Sequence, residues 1–194
     1  MSRTLAILFL AASVGAAAFT VSAPAQAQII NGGFETGDFS GWSVGGPTGI
    51  FDSAFGTPPG GSFHALAVNQ STESASDLET FFGIPAGSLN ALAVSTDPIA
   101  VNGSGFRQTF NASSGSPLSF RWNFLTDDDT PSVRYNDYAF AVIDGAPIKL
   151  ADTHSAFTAS STGYASETGY QTFNFVLGSG RDALDRIRCY ECER

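Results

Sequence analysis

The clearest pattern in the chain is LSFRWNFL, where Leu118, Phe120, Trp122 and Phe124 alternate with Ser119, Arg121 and Asn123. Period-two alternation of this kind predicts a half-buried strand. Phe106, Gln108 and Phe110 alternate in the same way with Arg107 and Thr109. Tyr138, Phe140 and Val142 form a third such strand, closed by a hairpin turn at Asp144-Gly145. Ile148 and Leu150 make a short return strand, and Tyr170 to Leu177 gives another, with Phe173, Phe175 and Leu177 inward. In SFHALAVN, residues 62–69, apolar side chains fall on both faces, so both are expected to be partly covered. The alternation breaks between Ser71 and Val94. There Ser76-Asp77-Leu78-Glu79 reads as a capping box, with Ser76 as N-cap and Glu79 three residues on. Leu78, Phe81 and Phe82 follow at helical spacing, Pro85 stops the helix, and Ser88 caps a second short turn through Leu89 and Leu92. Antiparallel strands with turn signals between them predict an all-β sandwich with a small helical insertion around residues 76–93.

The two ends of the chain depart from this pattern. Arg3, an apolar stretch from Leu5 to Val21 and the small-x-small site Ala25-Gln26-Ala27 read as a cleaved secretory signal peptide over residues 1–27. A retained membrane anchor is not expected. The remaining 167 residues are ample for one core, and the sandwich domain is assigned to 28–180. The other end, GRDALDRIRCYECER, changes character abruptly. From Arg181 to Arg194, 8 of 14 residues are charged, and both cysteines, Cys189 and Cys192, lie here. One reading is a Cys-x-x-Cys metal or redox site, which lacks a second pair. Another is a native charged tail. The preferred reading is a reading-frame slip or truncation, because codons for DRIRCYECER can encode Thr-Gly-Phe-Gly-Ala-Met-Ser-Ala-Ser one base later. On that reading 181–194 lies outside the domain and the sheet is left with an open edge after Leu177, an aggregation hazard.

Charge narrows the choice of partners. The chain carries a formal net charge of −9. Between Gln28 and Gly180 there are 14 Asp or Glu against Arg107, Arg121, Arg134 and Lys149. That balance argues against nucleic acid or an anionic lipid surface. It suits an exported soluble protein, or one that meets divalent cations.

The stretch NGGFETGDFSGW reads as the end of a first strand, a glycine-rich turn and a second short strand. Phe34 faces inward and Trp42 is a core anchor. With DLETFFGIPAGSLNAL, from Asp77, and QTFNASSGSPLSFRWNFLTDDDTPSVRYNDYAFAVID, from Gln108, it resembles exported bacterial proteins of the PEP-CTERM family. The resemblance covers most of residues 28–177. It implies a jelly-roll domain of the carbohydrate-binding, galactose-binding-like type. It also implies export, and a place in exopolysaccharide or extracellular-matrix assembly. Further strands, a Pro-Glu-Pro motif, an apolar helix and a basic cluster are implied as well; this sequence does not contain them.

The same resemblance implies a structural calcium ion with a glutamate at Glu35 as one ligand, joined by backbone carbonyls and an acid from the last strand. Calcium takes about six to eight oxygens, so Glu35 alone is insufficient. TDDDTPSVRYND offers further carboxylates in Asp127, Asp128, Asp129 and Asp137. They are tolerable as a solvated loop near Arg134 and favourable around a cation. No catalytic signature appears. His64 and His154 are the only histidines, and there is no Gly-x-Ser-x-Gly elbow. For a sugar ligand, Arg107, Arg121 and Asn123 point away from the core on their strands, and Tyr135 and Tyr164 lie in loops. The sequons at Asn69, Asn102 and Asn111 are incidental. The expected protein is a secreted, non-enzymatic module that binds extracellular polysaccharide. The alternatives are a calcium-stiffened structural surface protein and, less favoured, an extracellular hydrolase.

Overall fold

Strands β1 (Ser43–Gly45), β2 (Thr48–Phe51) and β3 (His64–Ala67) precede the helix α1 (Ala75–Phe82) and a short 3-10 turn at Asn90–Leu92. Then come β4 (Asn102–Phe110), β5 (Pro117–Trp122), β6 (Leu125–Thr126), β7 (Tyr138–Ile143) and β8 (Ala146–Asp152). The last four are β9 (Thr158–Ala159), β10 (Ser166–Glu167), β11 (Gln171–Val176) and β12 (Asp185–Glu193). The computed structural model describes residues 29–69, 73–93, 100, 102–131 and 136–178, and the backbone of 185–193.

The main sheet is antiparallel, in the order β1-β4-β12-β7-β8. Only β7 and β8 are consecutive neighbours within it. The chain otherwise leaves this sheet and returns to it, pairing β5 with β11 and β2 with β3 in a second layer. A small sheet, β6-β10-β9, completes the set. This is the all-β jelly-roll sandwich that the alternation and the family resemblance lead one to expect.

Strand β7 differs from the expected half-buried strand, because every residue from Tyr138 to Ile143 is buried. Ala139 packs with Phe124 and Ala151, and Ile143 packs with Leu118, Phe110 and Leu177, all on the side of the second layer. Tyr138, Phe140 and Val142 point the other way, into Leu78, Phe82, Ile84 and Leu89. The reason is visible in the sequence: the intervening residues are Ala139, Ala141 and Ile143, not polar ones. Both faces therefore need cover, and α1 with the segment after it supplies the outer one. Tyr138 keeps its hydroxyl satisfied in that apolar layer by donating to Leu89 O at 2.8 Å.

The helix begins two residues earlier than its expected cap. Ser74, not Ser76, is the N-cap, and Asp77 completes the capping box by accepting from Ser74 N at 3.1 Å. Glu79 is thereby free for a different task. Its buried carboxylate accepts from Gly87 N and Leu89 N, both at 2.9 Å, and ties the next turn to the helix. Ser88 caps nothing there, since the N-cap of the 3-10 turn is Leu89, with no side-chain bond. The helix stops at Gly83, ahead of Pro85.

The opening stretch also departs from expectation. Ile29 and Ile30 form no strand; residues 30–41 are successive turns, closed by Phe34 N to Asn31 O at 3.0 Å and Gly37 N to Phe34 O at 2.9 Å. A single side chain replaces strand pairing. Buried Gln108 on β4 accepts from Ile30 N at 2.6 Å and donates to Ile30 O at 2.8 Å and Gly41 O at 2.9 Å. Gly41 has φ +85°, and a Cβ there would come within 2.8 Å of Ile30.

Where the sheet is expected to be open after Leu177, the backbone of β12 pairs along β4 from Asp185 opposite Phe110 to Glu193 opposite Asn102, and meets β7 at Cys192 opposite Tyr138. The charged segment thus runs inside the sheet instead of beyond it.

The two-sided burial of β7 sets a stability prediction. Phe140→Ala is expected to cost about 3–5 kcal/mol, whereas Val176→Ala, at a side chain 66% exposed, is expected to stay within about 0.5 kcal/mol. Urea unfolding of both variants checks this.

Candidate functional site

The second layer does not close. Its β2–β3 hairpin is fastened to the main sheet, where Ser104 Oγ on β4 receives Val68 N at 2.8 Å and donates to Val68 O at 2.6 Å. Among the described residues strand β5 pairs with β11 alone. Between β3 and the free edge of β5 lies a cleft of about 500 Å³. Its lining takes in every residue from Ser119 to Asn123, so both faces of the strand contribute and the cleft follows the strand's edge.

Aromatic rings are prominent in this surface. Phe34, Trp42 and Phe106 line one part, in mutual contact with centroids 5.2–5.5 Å apart. Phe55, Phe63, Phe120, Trp122 and Tyr170 line the rest. Phe34 adopts φ +59° to join the cluster, a conformation that costs a residue with a Cβ about 1–2 kcal/mol. Trp42 is half-buried, and its indole Nε1 donates to Asn31 O at 3.1 Å.

Polar groups converge on the same cleft. His64 Nδ1 meets the Tyr170 hydroxyl at 2.7 Å. Burial holds the His64 pKa below its ordinary value of 6.5, against the charge of Asp52, which raises it. Burial also pushes the Tyr170 pKa above its ordinary value, with Glu167 adding to the rise and Arg121 opposing it. Both groups are therefore neutral at pH 7. His64 Nε2 is buried without a hydrogen-bond partner among the described residues. Arg121 lies with its guanidinium 5.6 Å from the Tyr170 ring centroid and donates to Pro59 O at 3.2 Å. Asn123 Nδ2 donates to Glu167 Oε2 at 2.8 Å, and its Oδ1 accepts from Thr168 Oγ1 at 3.2 Å.

The residues singled out from the sequence fall in different places. Arg121 and Asn123 meet at the cleft. Arg107 does not: it lies on the helix side of β4, donates to Phe81 O and sits 4.6 Å from that ring's centroid, clamping α1. Tyr135 lies outside the described residues. Tyr164 is beside the cleft residue Phe55, with centroids 6.1 Å apart. Glu35 is taken up by backbone amides, accepting from Ser62 N at 2.9 Å and Phe63 N at 3.2 Å, and so fixes one rim of the cleft. Gly61, at φ +73°, makes that approach possible, because a Cβ there would overlap the Glu35 carboxylate. Asp127 Oδ1 accepts from Ala165 N at 2.8 Å, Asp129 is exposed, and buried Asp137 accepts from Asn69 Nδ2 at 3.1 Å. Among the described residues no three His, Cys, Asp or Glu side chains gather into a cation site, so Glu35, Asp127, Asp128, Asp129 and Asp137 are not brought together.

His64 and Tyr170 are two of the cleft residues that sequence reasoning missed. They stand 106 positions apart, and no local spacing relates them. The one available signal was weak: a histidine inside a strand whose two faces both read as covered.

The fold and the cleft together define a β-sandwich with an aromatic-lined groove at the gap in one layer. No family model and no curated protein matches the chain. Among solved structures it is similar to TmCBM61 in complex with β-1,4-galactotriose, at 13% identity and a TM-score of 0.44, covering 84% of this chain and 86% of that one.

The lowered His64 pKa has a sign that can be checked. The unfolded chain takes up this proton more readily than the folded one, so the contribution of neutral His64 to stability is complete above pH 6.5 and is lost as pH falls from there toward the lowered folded value. Melting temperatures across roughly pH 8 to 5 are expected to fall less in His64→Gln than in the parent protein.

Proposed function

We propose that this protein is a secreted, non-enzymatic module that binds extracellular polysaccharide in the cleft between β3 and β5. The observation that carries the reading is the pairing of half-buried aromatic rings with hydrogen-bonding side chains in one groove. Trp122 and Tyr170 offer flat apolar faces to a pyranose ring. Arg121, Asn123 and the His64–Tyr170 pair stand where ring hydroxyls would fall. A cleft of about 500 Å³ is in the range of small-ligand sites and open to a longer chain. Export rests on the signal-peptide pattern of residues 1–27. The resemblance of the sequence to PEP-CTERM proteins supports a role at the cell surface or in matrix assembly.

Retention of the purified protein on a panel of immobilised bacterial and plant polysaccharides tests this. At least one polysaccharide is expected to retain the parent protein, and Tyr170→Ala is expected to lose that retention while melting within a few degrees of the parent. No retention, together with a melting temperature that falls on adding a chelator, would support the calcium-stiffened structural reading instead. Release of reducing ends from a retained polysaccharide would make the protein a hydrolase.

A further inference from the structure

The cations of this acidic chain are disposed unevenly. Among the described residues the ion pair is Lys149 with Asp152, at 2.7 Å. Arg107 is on the far side of the main sheet, against Phe81. Arg121 is left as the described cation that reaches the cleft. It is exposed, and no carboxylate closes on it within ion-pair distance among the described residues. Glu167, the nearby acid, is engaged by Asn123 at 2.8 Å.

The Arg121 side chain is nevertheless held in place. Pro59 O takes one of its N–H donors at 3.2 Å, and the Tyr170 ring lies under the guanidinium. A guanidinium has five such donors in a planar fork, and the fork matches a carboxylate with two parallel bonds. An arginine oriented by a carbonyl and a ring, with no carboxylate at ion-pair distance among the described residues of a chain of net charge −9, is arranged for an anionic group brought by the ligand. The protein's more distant acids are screened beyond about 8–10 Å at physiological salt, and the acids beside the cleft, Glu35 and Glu167, are already engaged by Ser62 N, Phe63 N and Asn123 Nδ2.

We propose that the ligand of the cleft is an acidic glycan, and that a uronic-acid carboxylate docks on the Arg121 guanidinium while its sugar ring lies against Tyr170. This rests on the glycan-binding reading of the cleft and specifies its substrate class. A uronate places a planar carboxylate on a carbon of the pyranose ring. Ring and charge are therefore adjacent in the ligand, as Tyr170 and Arg121 are adjacent in the cleft.

The test compares a uronic-acid oligosaccharide with the same oligosaccharide after reduction of its carboxyl groups to alcohols, by calorimetry with the full chain. The acidic form is expected to bind about five-fold more tightly than the reduced form, and raising the salt concentration is expected to shrink that ratio. In Arg121→Gln, whose side chain is at the surface, the ratio is expected to fall to one. Arg121→Lys is expected to keep only part of it, because a point charge cannot form the two parallel bonds. Equal binding of the two forms by the parent protein, or an undiminished preference in Arg121→Gln, would overturn the acidic-glycan proposal and leave glycan binding standing. A sulfated oligosaccharide bound more tightly than the uronate would overturn the carboxylate assignment. Binding of neither form, with no other polysaccharide retained, would remove the glycan-binding reading itself.

Discussion

Tyr138 to Ile143 carries apolar side chains on both faces of one strand, and most of the architecture is a response to that. A strand with no wet side must be covered twice. On the outer side, Leu78, Phe82, Ile84 and Leu89 come from the helical insertion and the turn after it. On the inner side, Ala139 leaves room for Phe124, and Ile143 meets Leu118 and Leu177 from the second layer. The helix is therefore not a decoration on a β domain. It is the third layer that a doubly apolar strand requires, and Glu79 holds its far end in place from within.

The cleft follows from how the second layer is fastened. One half of that layer, β5 with β11, is held by Leu118, Phe120, Phe173 and Phe175 against the main sheet. The other half, β2 with β3, is held through Ser104 on β4. Each half is anchored to the main sheet, and between the halves side-chain bonds from Arg121 to Pro59 O and between His64 and Tyr170 take the place of strand pairing, so a gap remains between β3 and β5. Side chains acting on backbone hold its borders: Gln108 ties down the segment that brings Phe34 and Trp42 into the groove, and Glu35 fixes the rim at Ser62 and Phe63. Both are polar residues used where strand pairing is missing, which satisfies amides and carbonyls that would otherwise have no partner.

Much of the fold was legible because alternation is a local signal. LSFRWNFL became β5 with Leu118 buried and Arg121 exposed, and the helical insertion was visible in Leu78, Phe81 and Phe82. What was not legible depended on partners distant in sequence. The alternation of Tyr138, Phe140 and Val142 gave the strand but not the layer each face would meet. The capping box was off by two residues because Ser74 and Ser76 offer the same hydroxyl, and only Asp77 positioned on Ser74 decides between them. Of the proposed sugar-contacting residues, Arg121 and Asn123 reach the cleft. Arg107, with the same period and chemistry, faces the helix, since β4 and β5 lie in different layers and their outward faces differ.

The sequence contains two tryptophans, and both line the cleft. Their indole N–H resonances are thus paired reporters of that groove. Following them by two-dimensional NMR while a retained polysaccharide fragment is added tests the account most directly. Binding in the cleft predicts saturable shifts of both indole signals, with one affinity. A fragment that binds while both indole signals stay in place would put its site elsewhere on the molecule and contradict the account.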